Sequence, residues 1–517
     1  MRIRLMLISV AMAAVAVASM IPTTAAAMCH CMVPAEDADE VGDDIFSDAT
    51  QVVMMREGTQ TVLSLRNRYE GPPEDFAMVV PVPMVLEPEH VNTLEDDIFA
   101  RIDTLTAPRL VEYFEEDPCP EDHSTADAGW ENDAAAQDED GGVSVEAEFK
   151  EGEYEITILG AEESTGLEDW LHDHDYNIPE GAAPYLEPYI QEGMYFFVAE
   201  VDPEELEFED GEAILSPLRF HYDTEEFLLP IRLGMINSRG QQDLIVNILA
   251  KNQRYEVANY DNITIPTNLE VSEDVADNFG DFYRTLFSET VQENPGAAVT
   301  EYAWNAGSCD PCPSDMPWGM FPEDIDILGA EVLADYDGWV DPHQWVISRL
   351  HMRYEKDDIG EDLVFEKAEP IVGGREVYDD DGNLEEGAQP GDINEFQARY
   401  NIRHAWDEGI DCMDPDWGNW TRQGNHQAEG PNTTGGEVFN GETVALSSVI
   451  LDVDPHERSR GHGSGGSSET SSGCAAASTA TTPMGALILV AALFGLMVVR
   501  RDDGAVRISR RRRGRRS

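Results

Sequence analysis

The chain has 517 residues, enough for two or three modules, and carries 103 acidic against 33 basic side chains for a formal net charge of −70. A body this acidic repels nucleic acid and anionic lipid. It leaves cations, basic surface partners or plain solvation in a salty medium as the roles for the excess carboxylates.

The first segment, MRIRLMLISVAMAAVAVASMIPTTAAA, places Arg2 and Arg4 before an apolar run from Leu5 to Met20. Ala25 and Ala27 then offer a small-residue cleavage site before Met28, so residues 1–27 read as a secretory signal peptide. Residues 28–114 read as a β-rich first module. QVVMMR (51–56), TVLSLRNRY (61–69) and FAMVVPVP (76–83) are short apolar or alternating runs, and EGPPED (70–75) is the turn between the last two. Leu94, Ile98, Ile102 and Leu105 recur at helical spacing, and Pro108 ends that helix.

Residues 115–142 hold eleven acids and no lysine or arginine, which predicts a solvated acidic insertion. A second α+β module is expected over 143–370. Its strand-like runs are VSVEAEF (143–149), YEITIL (154–159), MYFFVAEV (194–201), LRFHY (218–222), FLLPIRLG (227–234), DLIVNILA (243–250) and VTEYAW (299–304). Leu167, Trp170, Leu171 and His174 suggest one helical stretch, and Val275, Phe279, Phe282 and Leu286 predict another, amphipathic helix over 272–293. In WVISRLHMRY (345–354), Val346, Ser348, Leu350 and Met352 face one way and Ile347, Arg349, His351 and Arg353 the other, which predicts a half-exposed strand.

Residues 371–455 form an acidic, turn-rich region with Trp406, Trp417 and Trp420. Residues 456–473 are a Gly/Ser linker. From 474 to 517 the order is Cys474, a small-residue spacer, an apolar run at 483–499 that is just long enough for a transmembrane helix, and a tail of nine arginines against two aspartates. The fold class expected is α+β: β-dominated mixed domains with a few amphipathic helices, an N-terminal signal and a C-terminal transmembrane helix.

YEGPPEDFAMVVPVP (69–83), LSPLRFHYDTEEFLLPIRLG (215–234) and WVISRLHMRY (345–354) together resemble the uncharacterised bacterial family known as domain of unknown function 2330, over roughly residues 28–370. That resemblance implies an exported domain and carries no catalytic motif. Gly473-Cys474, spacer, apolar helix and arginine cluster resemble the myxobacterial C-terminal sorting signal. This second resemblance implies cleavage near Gly473, lipidation of Cys474 and anchoring on the cell surface or outer membrane.

Candidate chemistry is sparse. His172 and His174 in HDHD share a face on a strand and could ligate one metal, whereas on a helix they stand about 200° apart and cannot. DDDGN (379–383) lacks the end ligands of an EF-hand, which leaves a turn with weak calcium binding at most. No cofactor is expected. Outside the tail there are six cysteines: Cys29, Cys31, Cys119, Cys309, Cys312 and Cys412. An even set in an exported chain favours disulfides, with the pairing open. Two other uses remain: zinc held by Cys29, Cys31, Cys309 and Cys312, and a redox role for C-x-x-C. Asp310 and Asp315 oppose a reactive thiolate at that pair, and Pro311 and Pro313 suit a fixed loop. The reading is an exported, surface-anchored, non-enzymatic binding or structural module. It meets the membrane through its C-terminal helix or a lipidated Cys474. The alternative is a secreted metal-dependent or hydrolytic enzyme.

Overall fold

A strand that is apolar without alternation is buried on both faces; two such strands lie side by side here, and a third that alternates is buried beside them. The strand Thr50–Glu57 turns Val52 and Met54 into one apolar layer and Val53 and Met55 into the opposite one. Gln242–Lys251 and Trp345–Tyr354 are almost wholly buried in the same way. The computed structural model describes residues 31–34, 50–119 and 148–451, apart from 67, 70–75, 161–169, 172–181, 202–206, 210–211, 238–240, 314–315, 356–358, 379–383, 407–408, 411, 413–414 and 423–443. The signal peptide, Cys29, the acidic insertion from residue 120, His172, His174, the 379–383 turn, the linker, Gly473, Cys474 and the apolar run 483–499 lie outside the described residues.

The three strands sit at the middle of an eleven-stranded mixed sheet. On one side Thr50–Glu57 runs parallel to Gln242–Lys251 and continues through a tight hairpin into Gln60–Arg66, followed by Leu218–Asp223 and Val91–Thr93. On the other, Trp345–Tyr354 pairs with Ala298–Asn305, and Glu395–Gln397 follows. The segments 28–114 and 143–370 thus contribute strands to one sheet.

A five-stranded sheet, in the order Cys31–Pro34, Phe76–Val82, Tyr195–Val201, Tyr154–Gly160 and Glu148–Glu151, packs on one face of the large sheet. Met78, Val80, Ile156 and Phe197 from the small sheet meet Val52, Met54, Leu63 and Leu65 from the large one. Helix Ala183–Gln191 covers the far face of the small sheet through Leu186 and Tyr189. Helices Asp97–Thr106 and Phe279–Glu293 cover the far face of the large sheet. The result is four layers, helix, sheet, sheet and helices, with β structure dominant. Among the described residues no helix is long and apolar enough to cross a membrane.

Three expectations are corrected. FLLPIRLG is not one strand: only Leu228–Leu229 pairs, and a 3-10 turn follows at Leu233–Asn237. Pro230 offers no donor to a ladder, and Asp362 draws the N–H groups of Ile231 and Arg232 away from any partner strand. The 272–293 helix is two elements, a 3-10 turn Glu273–Val275 and the helix Phe279–Glu293, parted at Asn278, whose backbone leaves the helical region. Trp345–Tyr354 is not half-exposed. Arg349 and His351 are 1 % exposed, because helices cover their face and carboxylates meet their charge.

Candidate functional site

A connected set of buried titratable groups sits on that covered face. Ala298–Asn305 is paired to Trp345–Tyr354 so that Thr300 faces Leu350 and Tyr302 faces Arg349. Glu301 is therefore the extra residue of a β-bulge, and the bulge aims its carboxylate between two neighbours on the next strand. Arg349 Nε donates to Glu301 Oε2 at 2.7 Å, and Arg349 Nη1 donates to Asp103 Oδ1 on helix Asp97–Thr106 at 2.5 Å. His351 Nδ1 lies 2.8 Å from Glu301 Oε1, and its Nε2 lies 3.1 Å from Asp243 Oδ1.

Both ring nitrogens face carboxylate oxygens, which only accept, so both must carry hydrogen and His351 is an imidazolium. Arg353 Nε donates to Asp243 at 2.8 Å, and Arg353 Nη1 to Ser288 Oγ on helix Phe279–Glu293 at 2.8 Å. The ring of Phe287 from that helix stacks on His351 with centroids 3.8 Å apart. Three cations and three carboxylates balance, and they tie both covering helices to three strands.

Burial alone pushes the Glu301 carboxyl up, but His351, Arg349 and the Tyr283 hydroxyl overcome this and hold it at about 2. Burial likewise lowers His351, and Glu301 and Asp243 overcome it to leave the imidazole above its ordinary 6.5.

A second polar cluster occupies a four-stranded sheet in the order Leu269–Glu270, Arg399–His404, Arg109–Glu115 and Trp420–Thr421. Arg399–His404 runs parallel to Arg109–Glu115, with Arg399 opposite Arg109 and Arg403 opposite Tyr113. Tyr400 and Ile402 pack under helix Phe279–Glu293, which turns Arg399, Asn401 and Arg403 to the other face. Two disulfides frame this face. Cys119 and Cys412, 5.6 Å apart at Cα, join the segments that follow these two strands. Cys309 and Cys312 are joined across three residues.

The loop inside the second bond reaches the arginines directly. Asp310 Oδ1 accepts from Arg422 Nη1 at 3.0 Å, and the Pro311 carbonyl accepts from Arg109 Nη1. The C-x-x-C spacing thus makes a closed loop that presents a carboxylate and a carbonyl, and it takes from a zinc site two of the thiolates such a site needs. Cys31 lies in a strand beside Val79.

A third feature is a cavity of about 220 Å³ lined by Gln60, Thr61, Met84, His90, His221 and Asp223. The two imidazoles meet edge to face with centroids 5.0 Å apart. His90 Nδ1 accepts from Glu87 N at 2.9 Å, so the neutral ring carries its hydrogen on Nε2 and presents no lone pair there for a metal. Burial first, then His90 and Arg219, lower the His221 imidazole. Among the described residues no three His, Cys, Asp or Glu side chains gather as a metal site. The most exposed large apolar side chains described are Trp318 at 73 % and Trp339 at 64 %.

Over residues 23–366 the chain matches the model of a family described as "Uncharacterized protein conserved in bacteria (DUF2330)". The chain belongs to this family. The family's span takes in the central strands of the large sheet, the Glu301–Arg349–His351 set and the Cys309–Cys312 loop, and it stops before Arg399–His404. No curated protein matches. The crystal structure of baculovirus P35 is similar at 13 % identity over 63 % of this chain and 98 % of that one, with a TM-score of 0.24.

Two outcomes follow from the buried set. Glu301→Gln leaves Arg349 and His351 short of a carboxylate, and unfolding in urea is expected to show a loss of about 3–5 kcal/mol. The set also fixes a pH profile. Glu301 contributes stability above its unfolded value of 4.5, lost as pH falls towards about 2. His351 contributes below its unfolded value of 6.5, lost as pH rises through its raised folded value. Both contributions are complete between pH 4.5 and 6.5, so the urea midpoint should peak there. The alkaline decline should be shallower in His351→Gln, which separates it from general repulsion among surface carboxylates.

Proposed function

We propose that the chain is an exported bacterial protein, displayed on the cell surface by its C-terminal segment, that acts as a non-enzymatic binding or structural module. Export is supported by the 1–27 segment and by two disulfides, which persist in oxidising compartments. Surface display is supported by the order Gly473-Cys474, spacer, apolar run and arginine tail, with Cys474 as the residue to be lipidated.

The observation that carries the non-enzymatic reading is the burial of the hydrogen-bonded carboxylate–imidazole array found among the described residues. His351 stands within hydrogen-bond reach of both Asp243 and Glu301, yet Asp243, His351 and Glu301 are 2 %, 1 % and 0 % exposed, with Phe287 stacked on the imidazole. A general acid or base must reach the proton it moves, and these groups are engaged by side chains of the chain itself: Arg349 and Tyr283 on Glu301, and Arg353 on Asp243. Their chemistry is directed to the fold.

Protease added to intact bacterial cells that make the full chain is expected to digest it while a cytoplasmic marker survives, and Cys474→Ser is expected to shift it from the cell envelope into the medium. Protection of the chain until the cells are lysed would contradict surface display.

A further inference from the structure

Buried charge is tolerated when opposite charge or hydrogen bonds meet it. The Arg349 set satisfies this, three against three. Among the described residues, the arginine face of the four-stranded sheet satisfies it only in part. Arg399 is 0 % exposed, and Arg109 and Arg403 are 5 % exposed. Each keeps buried N–H groups without an acceptor among the described residues: Nε of Arg109, and Nε and Nη1 of both Arg399 and Arg403.

The described carboxylates at hand are shared. Asp310 accepts from Arg422 at 3.0 Å, and Glu376 Oε2 stands 2.6 Å from Arg422 and 4.0 Å from Arg399 without a hydrogen bond to either. Glu115, on the arginine face of its own strand, accepts from the backbone N–H groups of Gly418 and Trp406. Arg399's one hydrogen bond goes to the neutral hydroxyl of Tyr113, through Nη2. Burial, and then the like charges of Arg422 and Arg109, push the Arg399 guanidinium down to about 9.

Register explains why the free donors share one face. Arg399 lies opposite Arg109, and Arg403 follows four residues along, opposite Tyr113, towards whose hydroxyl Arg399 leans, so the three guanidinium stems rise from one sheet face. Arg403 stacks on Trp420, which fixes its plane. Solvent is close: Arg422, 35 % exposed, and Tyr378, 39 % exposed, stand beside the cluster.

We propose that this face is a binding site for one small oxyanion, a carboxylate or phosphate group held between Arg399 and Arg403 and flanked by Arg109. Guanidinium N–H pairs match the oxygens of either group and form charge-assisted bonds with them. Asn401 Oδ1, between the two arginines on the same face, also lacks a donor, and a water bridging it to the anion completes the site. The site is independent of where the chain is displayed.

The test is thermal unfolding of the purified full-length chain, with sodium phosphate or sodium acetate titrated against sodium chloride at constant ionic strength. The site predicts a saturable rise in Tm with phosphate, acetate or both, beyond that with chloride, and the two salts distinguish the phosphate source from the carboxylate source. The rise should be lost in Arg399→Met and reduced in Arg403→Gln. In chloride alone, Arg399→Met should unfold at or above the wild-type temperature, because it removes an unmet buried cation. No oxyanion-specific rise in the wild type would overturn the proposal, as would a rise that persists in both variants. A lower Tm or loss of fold for Arg399→Met in chloride would also overturn it, by showing that a carboxylate of the chain itself already meets that arginine.

Discussion

Arg349 projects from the middle strand of a sheet that is covered on both faces, and its charge has no route to water. Its guanidinium is met only because Asp103 comes down from the helix above and Glu301 is turned in by a bulge on the next strand. That requirement fixes several things together. It sets the register between Ala298–Asn305 and Trp345–Tyr354, since a one-residue slip would carry Glu301 to the opposite face. It sets where helix Asp97–Thr106 crosses the sheet. Through His351, Phe287 and Arg353 it also places helix Phe279–Glu293. Apolar side chains of equal volume could supply as much stability. They would not single out one register, and the ionic set does.

The same arithmetic of buried charge gives the opposite result at the four-stranded sheet. There, among the described residues, buried guanidinium N–H groups lack acceptors, and two disulfides hold the strands and the loop around them. The C-x-x-C pair, which on spacing alone suits electron transfer or a metal, closes a loop whose Asp310 and Pro311 face Arg422 and Arg109. The two clusters divide the work of charge in this molecule. One neutralises itself and organises the fold; the other keeps buried guanidinium N–H groups without an acceptor among the described residues.

Much of this was legible in the sequence where the pattern is local. The strands at 51–56, 154–159, 194–201, 218–222 and 243–250 form where apolar runs lie between turn residues, and helix Asp97–Thr106 follows its spacing. The failures share a cause: each depends on a partner distant in the chain. Alternation in WVISRLHMRY reads as one wet face because the carboxylates that bury Arg349 and His351 come from residues 103, 243 and 301. RYNIRH, in a stretch read as turn-rich and acidic, alternates cleanly at Tyr400 and Ile402, and that period was the available signal. Its three polar positions masked it, because they answer to the strand at 109–115. The cysteine pairing was likewise open, since Cys119 and Cys412 are separated by 293 residues.

The central claim is that His351 is a buried cation held between two carboxylates, so that the sheet and its covering helices are locked by charge. Nitrogen chemical shifts of the His351 ring in the folded chain, recorded above its ordinary pKa of 6.5, test this directly. Protonation at both Nδ1 and Nε2 is the result the account predicts. A neutral ring, with one bare nitrogen facing a carboxylate, would contradict it.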